Sequence, residues 1–116
     1  MDVEVAFVAV PVSDLDTGRD FFERLLGRPV DIVPNEREVM WRLADAAWLY
    51  VVVDTARAGH GLAALSVGDL DATLAELDAR GIRPTFLEAV GDGARKATVR
   101  DPDGNTVAII QVAAQG

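Results

Sequence analysis

Two stretches of the chain read almost alike: residues 7–16 are FVAVPVSDLD and residues 62–71 are LAALSVGDLD. Each carries a Val-x-Asp-Leu-Asp segment, and an amphipathic stretch ending at Gly27 or Gly81 follows it. The offset is 55 between Val12 and Val67 (67 − 12) and 54 between the glycines (81 − 27). Such repetition predicts a duplicated structural unit. A half of about 55 residues is too small to bury a core alone, so the two should share one.

Each half has the same predicted order of elements. The apolar runs 3–10 and 62–67 are rich in Val, Leu and Ala, which is typical of strands covered on both faces. A helix follows each run, with Ser13 and Gly68 as the expected N-caps. Three shorter strands then follow in each half, at 29–33, 38–43 and 48–54 and at 84–88, 95–100 and 106–112. The sequence therefore predicts an α+β architecture of two βαβββ modules, about 1–55 and about 60–113, within one domain spanning 1–116.

Composition excludes several classes of function. The chain has 11 Lys and Arg against 19 Asp and Glu, a net charge of −8, which argues against nucleic acid and against an anionic membrane surface as partners. It has no cysteine and one histidine, His60, so thiolate sites and sites with several imidazoles from one chain are excluded. No apolar run approaches the roughly 18 residues of a membrane span, and the acidic start MDVEV does not fit a signal peptide. We expect a cytoplasmic protein.

Three segments carry a family resemblance: VPVSDLDTGRDFFERLLG (10–27), SVGDLDATLAELDARGI (66–82) and VRDPDGNTVAII (99–110). Together they resemble the vicinal oxygen chelate superfamily of glyoxalases, bleomycin resistance proteins and extradiol dioxygenases. The resemblance implies a cupped, eight-stranded mixed sheet with the helices outside, a pocket within the cup, and a homodimer. In the enzymes of that superfamily, His, Glu or Gln at inward-facing strand positions hold a divalent metal. Asp101 and Asp103 of the Asp-Pro-Asp-Gly turn are expected to serve the turn itself.

The resemblance also gives the metal-ligand positions in this chain. They fall on Phe7, Leu62 and Ala108, with the fourth among Leu49, Tyr50 and Val51. Phenyl, isobutyl and methyl groups donate no electron pair, whereas a divalent cation needs about four to six N or O donors. We therefore predict no metal and no cofactor, and an apolar pocket floor suited to an apolar or aromatic guest.

Aromatic residues and the single histidine complete the candidate site. The aromatic residues Trp41, Trp48, Tyr50 and Phe86 would either stack on a planar guest or pack in the core or a dimer interface. His60 is either a hydrogen-bond partner or general base at the pocket rim, or a solvated linker residue between two glycines. The predicted ligand-binding set is Phe7, Trp41, Trp48, Tyr50, His60, Leu62, Phe86 and Ala108, with His60 as the one weak catalytic candidate.

Three functions fit these observations. The first is a metal-free, homodimeric binding protein that sequesters a hydrophobic or aromatic small molecule, and this is the function we predict. The second is a lyase, isomerase or dioxygenase of the same superfamily, with metal ligands elsewhere or with His60 or a carboxylate as base. The third is a structural or regulatory module that acts through dimerisation, its cup filled by its own side chains.

Overall fold

The computed structural model describes residues 1–113, which form eight strands and two helices. The first module consists of β1 (Ala6–Val12), α1 (Leu15–Leu26), β2 (Ile32–Asn35), β3 (Glu38–Ala44) and β4 (Ala47–Val53). The second consists of β5 (Leu62–Ser66), α2 (Leu70–Ala79), β6 (Phe86–Val90), β7 (Ala94–Arg100) and β8 (Thr106–Gln111). This order confirms the predicted α+β class and the two βαβββ modules.

Each module forms its own four-stranded mixed sheet, in the orders β1-β4-β3-β2 and β5-β8-β7-β6. The first strand of each module runs parallel to the last, and the other neighbours are antiparallel. The edge strands β1 and β5 lie side by side, and we call the line between them the seam. Within the described residues no strand ladder crosses the seam, so the eight strands form two hydrogen-bonded sheets.

The core lies between the helices and one face of each sheet. Successive strand residues point to opposite faces, so every second residue of β1, β3 and β4 enters this core. Trp41 of β3 is fully buried there, with its indole N–H donating to the carbonyl of Arg28 at 3.2 Å. Its ring centroid lies 6.3 Å from that of Phe22 on α1. Neither helix in the described part of the chain has the length and apolar character to cross a membrane.

The helices are capped by aspartates rather than by the predicted Ser13 and Gly68. Asp14 and Asp69 are the N-caps, and each carboxylate accepts a backbone N–H of the first helical turn. Both predictions were wrong by one residue, because the carboxylate reaches that N–H from the extended position just before the helix. The Ser13 hydroxyl donates instead to Asp103, in the other module.

The expectation that β1 and β5 are covered on both faces was also wrong for the single chain. The helices cover one face, whereas Phe7 is 56% exposed and Leu62 is 76% exposed on the other. β1 also begins and ends later than predicted, and Pro11 lies inside it. Proline has no N–H to donate, and an edge strand tolerates this loss on its unpaired side.

Candidate functional site

The sheet faces turned away from the helices carry most of the predicted site, and we call them the open face. Register assigns the residues, since paired neighbours share a face. In β1 and β4 the open-face residues are Phe7, Ala9, Pro11, Trp48, Tyr50 and Val52. In β5 and β8 they are Leu62, Ala64, Ser66, Thr106, Ala108 and Ile110. Phe86 pairs with Thr98, which lies opposite Ala108, so Phe86 belongs to the same face.

The two tryptophans lie on opposite faces of the first sheet. Trp48 pairs with Phe7 on the open face, whereas Trp41 pairs with the buried Leu49 in the core. The structure therefore does not bring Trp41 to the other aromatic candidates. Phe7 and Tyr50 do meet, with ring centroids 6.3 Å apart and planes inclined by 67°. This edge-to-face pair gives the open face of the first module an aromatic surface.

A cavity of about 350 Å³ opens beside this aromatic surface, and we call it the linker pocket. Its floor consists of Ala9, Pro11, Tyr50 and Val52, and its wall of Asp54, Arg57, His60 and Gly61 from the linker between the modules. The pocket thus brings Tyr50 and His60 together. The remaining predicted residues are not part of its lining. Its volume falls at the lower end of the range of about 300–1,000 Å³ typical of small-molecule sites.

The polar groups of the linker pocket are concentrated in its wall. The Arg57 guanidinium donates to the Asp54 carboxylate at 2.8 Å, and this hydrogen bond lowers the pKa of Asp54 below its ordinary value. The backbone N–H of His60 donates to the carbonyl of Arg57 at 3.0 Å, which closes a turn and leaves the histidine exposed. The pocket therefore offers an apolar floor and a polar wall, an arrangement suited to a guest with an apolar body and a polar substituent.

A turn of the second module closes the same end of the seam. Residues 101–105 connect β7 and β8, and we call them the DPDGN clasp. Asp101 serves the turn as predicted, since it accepts the backbone N–H of Asn105 at 2.7 Å. Asp103 does more than predicted, because it accepts both the N–H and the hydroxyl of Ser13, at 3.0 and 2.5 Å. The clasp therefore bonds the second module to the end of β1.

Asn105 is the buried centre of the clasp, with 1% of its surface exposed. Its Nδ2 donates to the carbonyl of Pro11 at 2.7 Å. Its Oδ1 accepts from the backbone N–H of Gly59 at 3.1 Å and of Gly61 at 2.7 Å. These partners belong to the floor and the wall of the linker pocket, which places Asn105 directly behind it.

The opposite end of the seam is built differently. There β3 and β4 are joined by Asp45 and Ala46 alone, and within residues 1–113 no side chain of this short turn bonds to the second module. A cavity of about 400 Å³ lies at this end. It is lined by Val8, Leu43, Ala44, Ala47, Ala64, Leu65, Ser66 and Val67.

Comparison with known proteins identifies the family. The model of the Glyoxalase/Bleomycin resistance protein/Dioxygenase superfamily matches residues 4–109. The chain belongs to this superfamily. A superfamily structure described as a glyoxalase/bleomycin resistance protein, from Catenulispora acidiphila DSM 44928, is 35% identical, with 94% of this chain and 98% of that one covered and a TM-score of 0.89.

Two further structures of this fold are described as binding proteins. TnmS3, an antibiotic-binding protein from Streptomyces sp. CB03234, is 28% identical, with 94% and 95% of the two chains covered and a TM-score of 0.73. A bleomycin-binding protein solved with bleomycin is 23% identical, with 93% and 98% covered and a TM-score of 0.76, a likeness that shows the fold alone. No curated protein matches the chain.

The register resolves the fourth metal-ligand position that the superfamily resemblance left open. Ala9 pairs with Tyr50, and Ala64, its counterpart 55 residues on (64 − 9), pairs with Ala108. Tyr50 is thus the equivalent of Ala108. On the assignment that the resemblance implies, the four positions would be Phe7, Tyr50, Leu62 and Ala108.

These four side chains do not fit the divalent metal of the superfamily's enzymes. Three of them carry no donor atom, and the fourth offers one phenol oxygen, whereas the metal needs about four donors or more. Among the described residues, no group of three or more His, Cys, Asp and Glu is placed to hold a metal ion. An apolar surface also penalises an unpaired ion, since nothing there replaces its hydration.

Proposed function

We propose that this chain is a metal-free binding protein that holds a hydrophobic or aromatic small molecule against its open face. The observation that carries the proposal is the apolar or aromatic character of the four positions named above. A surface whose one polar atom is a phenol oxygen favours a guest that loses its hydration at little cost. The relationship to the antibiotic-binding protein TnmS3 supports this function.

The linker pocket supports a more definite class of guest. Tyr50 provides a ring to stack on, and Pro11 and Val52 provide aliphatic contact. Asp54 and Arg57 meet a polar substituent at the wall. The net charge of −8 repels anions over the whole surface, so the proposed guest is neutral or positively charged.

We further propose that a second copy of the chain completes the cup, as the superfamily resemblance implies. Phe7, Leu62 and Phe86 are 56%, 76% and 57% exposed, and all three belong to the open face. Large exposed apolar side chains on one face are typical of an interface or a ligand surface. A cup filled by its own side chains is disfavoured, because Phe7 remains exposed and a pocket of about 350 Å³ remains beside it.

The first experiment is native mass spectrometry of freshly purified protein, which reports bound ions, bound organic molecules and subunit count together. We expect a dimer without stoichiometric metal that carries or takes up an apolar organic molecule. Zinc, nickel, iron or manganese at one equivalent per site would contradict the proposal and favour the enzyme. Dimers that take up no organic molecule would favour the structural module.

The second experiment measures binding at Tyr50 with the neutral fluorophore N-phenyl-1-naphthylamine. Tyr50→Ala removes the ring, and we expect its dissociation constant to rise by about tenfold or more, in the range of other buried aromatic contacts. Tyr50→Phe is the matched control, because it keeps the ring and removes only the hydroxyl, and its affinity should stay within about twofold. Equal affinity in all three proteins would exclude the open face of the first module as the site.

A further inference from the structure

We propose that Asn105 is the positioning residue of the linker pocket. The side chain of Asn105 does not line the pocket, yet its amide forms hydrogen bonds to segments on two sides of it. The inference rests on the proposed function, since it concerns how the ligand site is held in shape.

The geometry uses the full hydrogen-bonding capacity of the amide. Oδ1 accepts from the N–H groups of Gly59 and Gly61, the two residues that flank His60. Nδ2 donates to the carbonyl of Pro11 in the pocket floor and to the Asp101 carboxylate at 2.8 Å. A side-chain amide has two acceptor sites and two donor hydrogens, so each is occupied once.

This arrangement fixes the distance between the pocket wall and its floor. The wall is a linker without strand pairing of its own, and Asn105 attaches it at both sides of the histidine. Gly61 is packed so closely that there is no room for a side chain: a Cβ there would lie 2.7 Å from Asn105 Oδ1 and 2.9 Å from Pro11 Cδ. Without the amide, the segment that carries Arg57 and His60 keeps the backbone bond from Asp54 to Val12 but loses its link through Asn105 to Pro11.

The test compares Asn105→Ala with Ser13→Ala, which removes a hydroxyl bond of the same clasp to Asp103, a residue outside the pocket lining. Two signals are measured: the ring resonances of His60, unambiguous because the chain has a single histidine, and the dissociation constant for N-phenyl-1-naphthylamine. In Asn105→Ala we expect shifted His60 resonances and binding weakened by about tenfold, the usual effect of losing a buried hydrogen-bond partner. In Ser13→Ala both should remain as in the wild type, even if the melting temperature falls.

A second variant covers the case in which Asn105→Ala does not fold. Gly61→Ala keeps the amide of Asn105 but forces a methyl group against it. As in Asn105→Ala, the His60 resonances should shift and the binding of the probe should weaken. Unchanged resonances and affinity in a folded variant, or equal changes in Ser13→Ala, would overturn the proposal. If the wild type binds no probe, the proposed function fails, whereas the His60 resonances still decide the role of Asn105.

Discussion

Replacing Gly18 by alanine sets helix propensity against packing, and the structure decides which effect is larger. Gly18 lies inside α1 and is buried against the first sheet. A Cβ there would lie 2.9 and 3.2 Å from the two methyl groups of Val12 and 3.1 Å from a methyl group of Val51. Alanine is favoured over glycine within a helix by about 1 kcal/mol. Overpacking a filled core costs about 1–3 kcal/mol.

Packing should prevail, because neither valine can move aside. Both are fully buried, and a β-branched side chain has few rotamers to adopt. α1 must therefore shift away from β1 and β4. We expect a net loss of about 1 kcal/mol, which corresponds to a fall in melting temperature of about 3–5 °C for a chain of this size.

Urea and thermal unfolding of the two proteins measure this difference. The matched control is Gly68→Ala, since a Cβ at Gly68 meets no atom within 4 Å, and its stability should change by less than about 0.5 kcal/mol. If Gly18→Ala proves as stable as the wild type or more so, then α1 shifts away from the sheet with little loss of stability, and the packing argument is wrong.

Three further results are expected. Hydrogen bonds to Thr17 and Arg57 lower the pKa values of Asp14 and Asp54. The contribution of these two carboxylates to stability is therefore present above pH 3.8 and lost as the pH falls through the lowered pKa values. Melting temperatures measured from pH 6 to pH 2 check this. Burial raises the pKa of Asp101, so the contribution of this residue to stability is present below pH 3.8 and lost as the pH rises through the raised pKa. The stability of Asp101→Asn relative to the wild type should therefore rise with pH over that window. A difference that does not change with pH would contradict this. Trp41→Phe leaves Trp48 as the single tryptophan, and its fluorescence should still respond to N-phenyl-1-naphthylamine; a response abolished by this substitution would place the guest near the core instead.

The repeat predicted most of the fold because both halves use the same local signals. Apolar runs, aspartates at the helix starts and glycines at the helix ends act over a few residues. Gly27 and Gly81 indeed adopt positive φ angles of 74° and 79° after the two helices. Such short-range signals are present in the sequence itself, whereas the cap was placed one residue early in both modules because Ser, Gly and Asp are all acceptable N-caps.

The site was only partly predictable, for two physical reasons. Alternation places Trp48 and Tyr50 on one strand face, but it does not say which face the helices cover, and so Trp41 was grouped with residues on the opposite side. Contacts between distant residues carry no local pattern. Asn105 lies 94 residues from Pro11, and a buried asparagine in a turn motif gives no sign of that bond.

For the wall of the linker pocket the sequence holds only a weak signal. Asp54 was predicted as the last residue of the strand 48–54 and Arg57 as part of the linker that follows, and the two lie three positions apart, a spacing common in any turn. Their joint position at the pocket follows from the ion pair between them, from the bond of the Asp54 N–H to Val12, and from the attachment of the later linker residues to Asn105. The signal that could have found them is the pair of opposite charges at the end of an apolar strand.

The two ends of the seam join the modules by different kinds of contact. Buried side-chain bonds hold the end at Pro11 and Gly61, whereas a short turn and a cavity of about 400 Å³ occupy the end at Val8 and Leu65. On the helix side, Arg80 of α2 also joins the modules, since its guanidinium donates to the carbonyls of Arg24 and Leu25 on α1. A guest in the linker pocket would therefore lie at the end of the seam where the buried amide of Asn105 joins β1, the linker and the clasp.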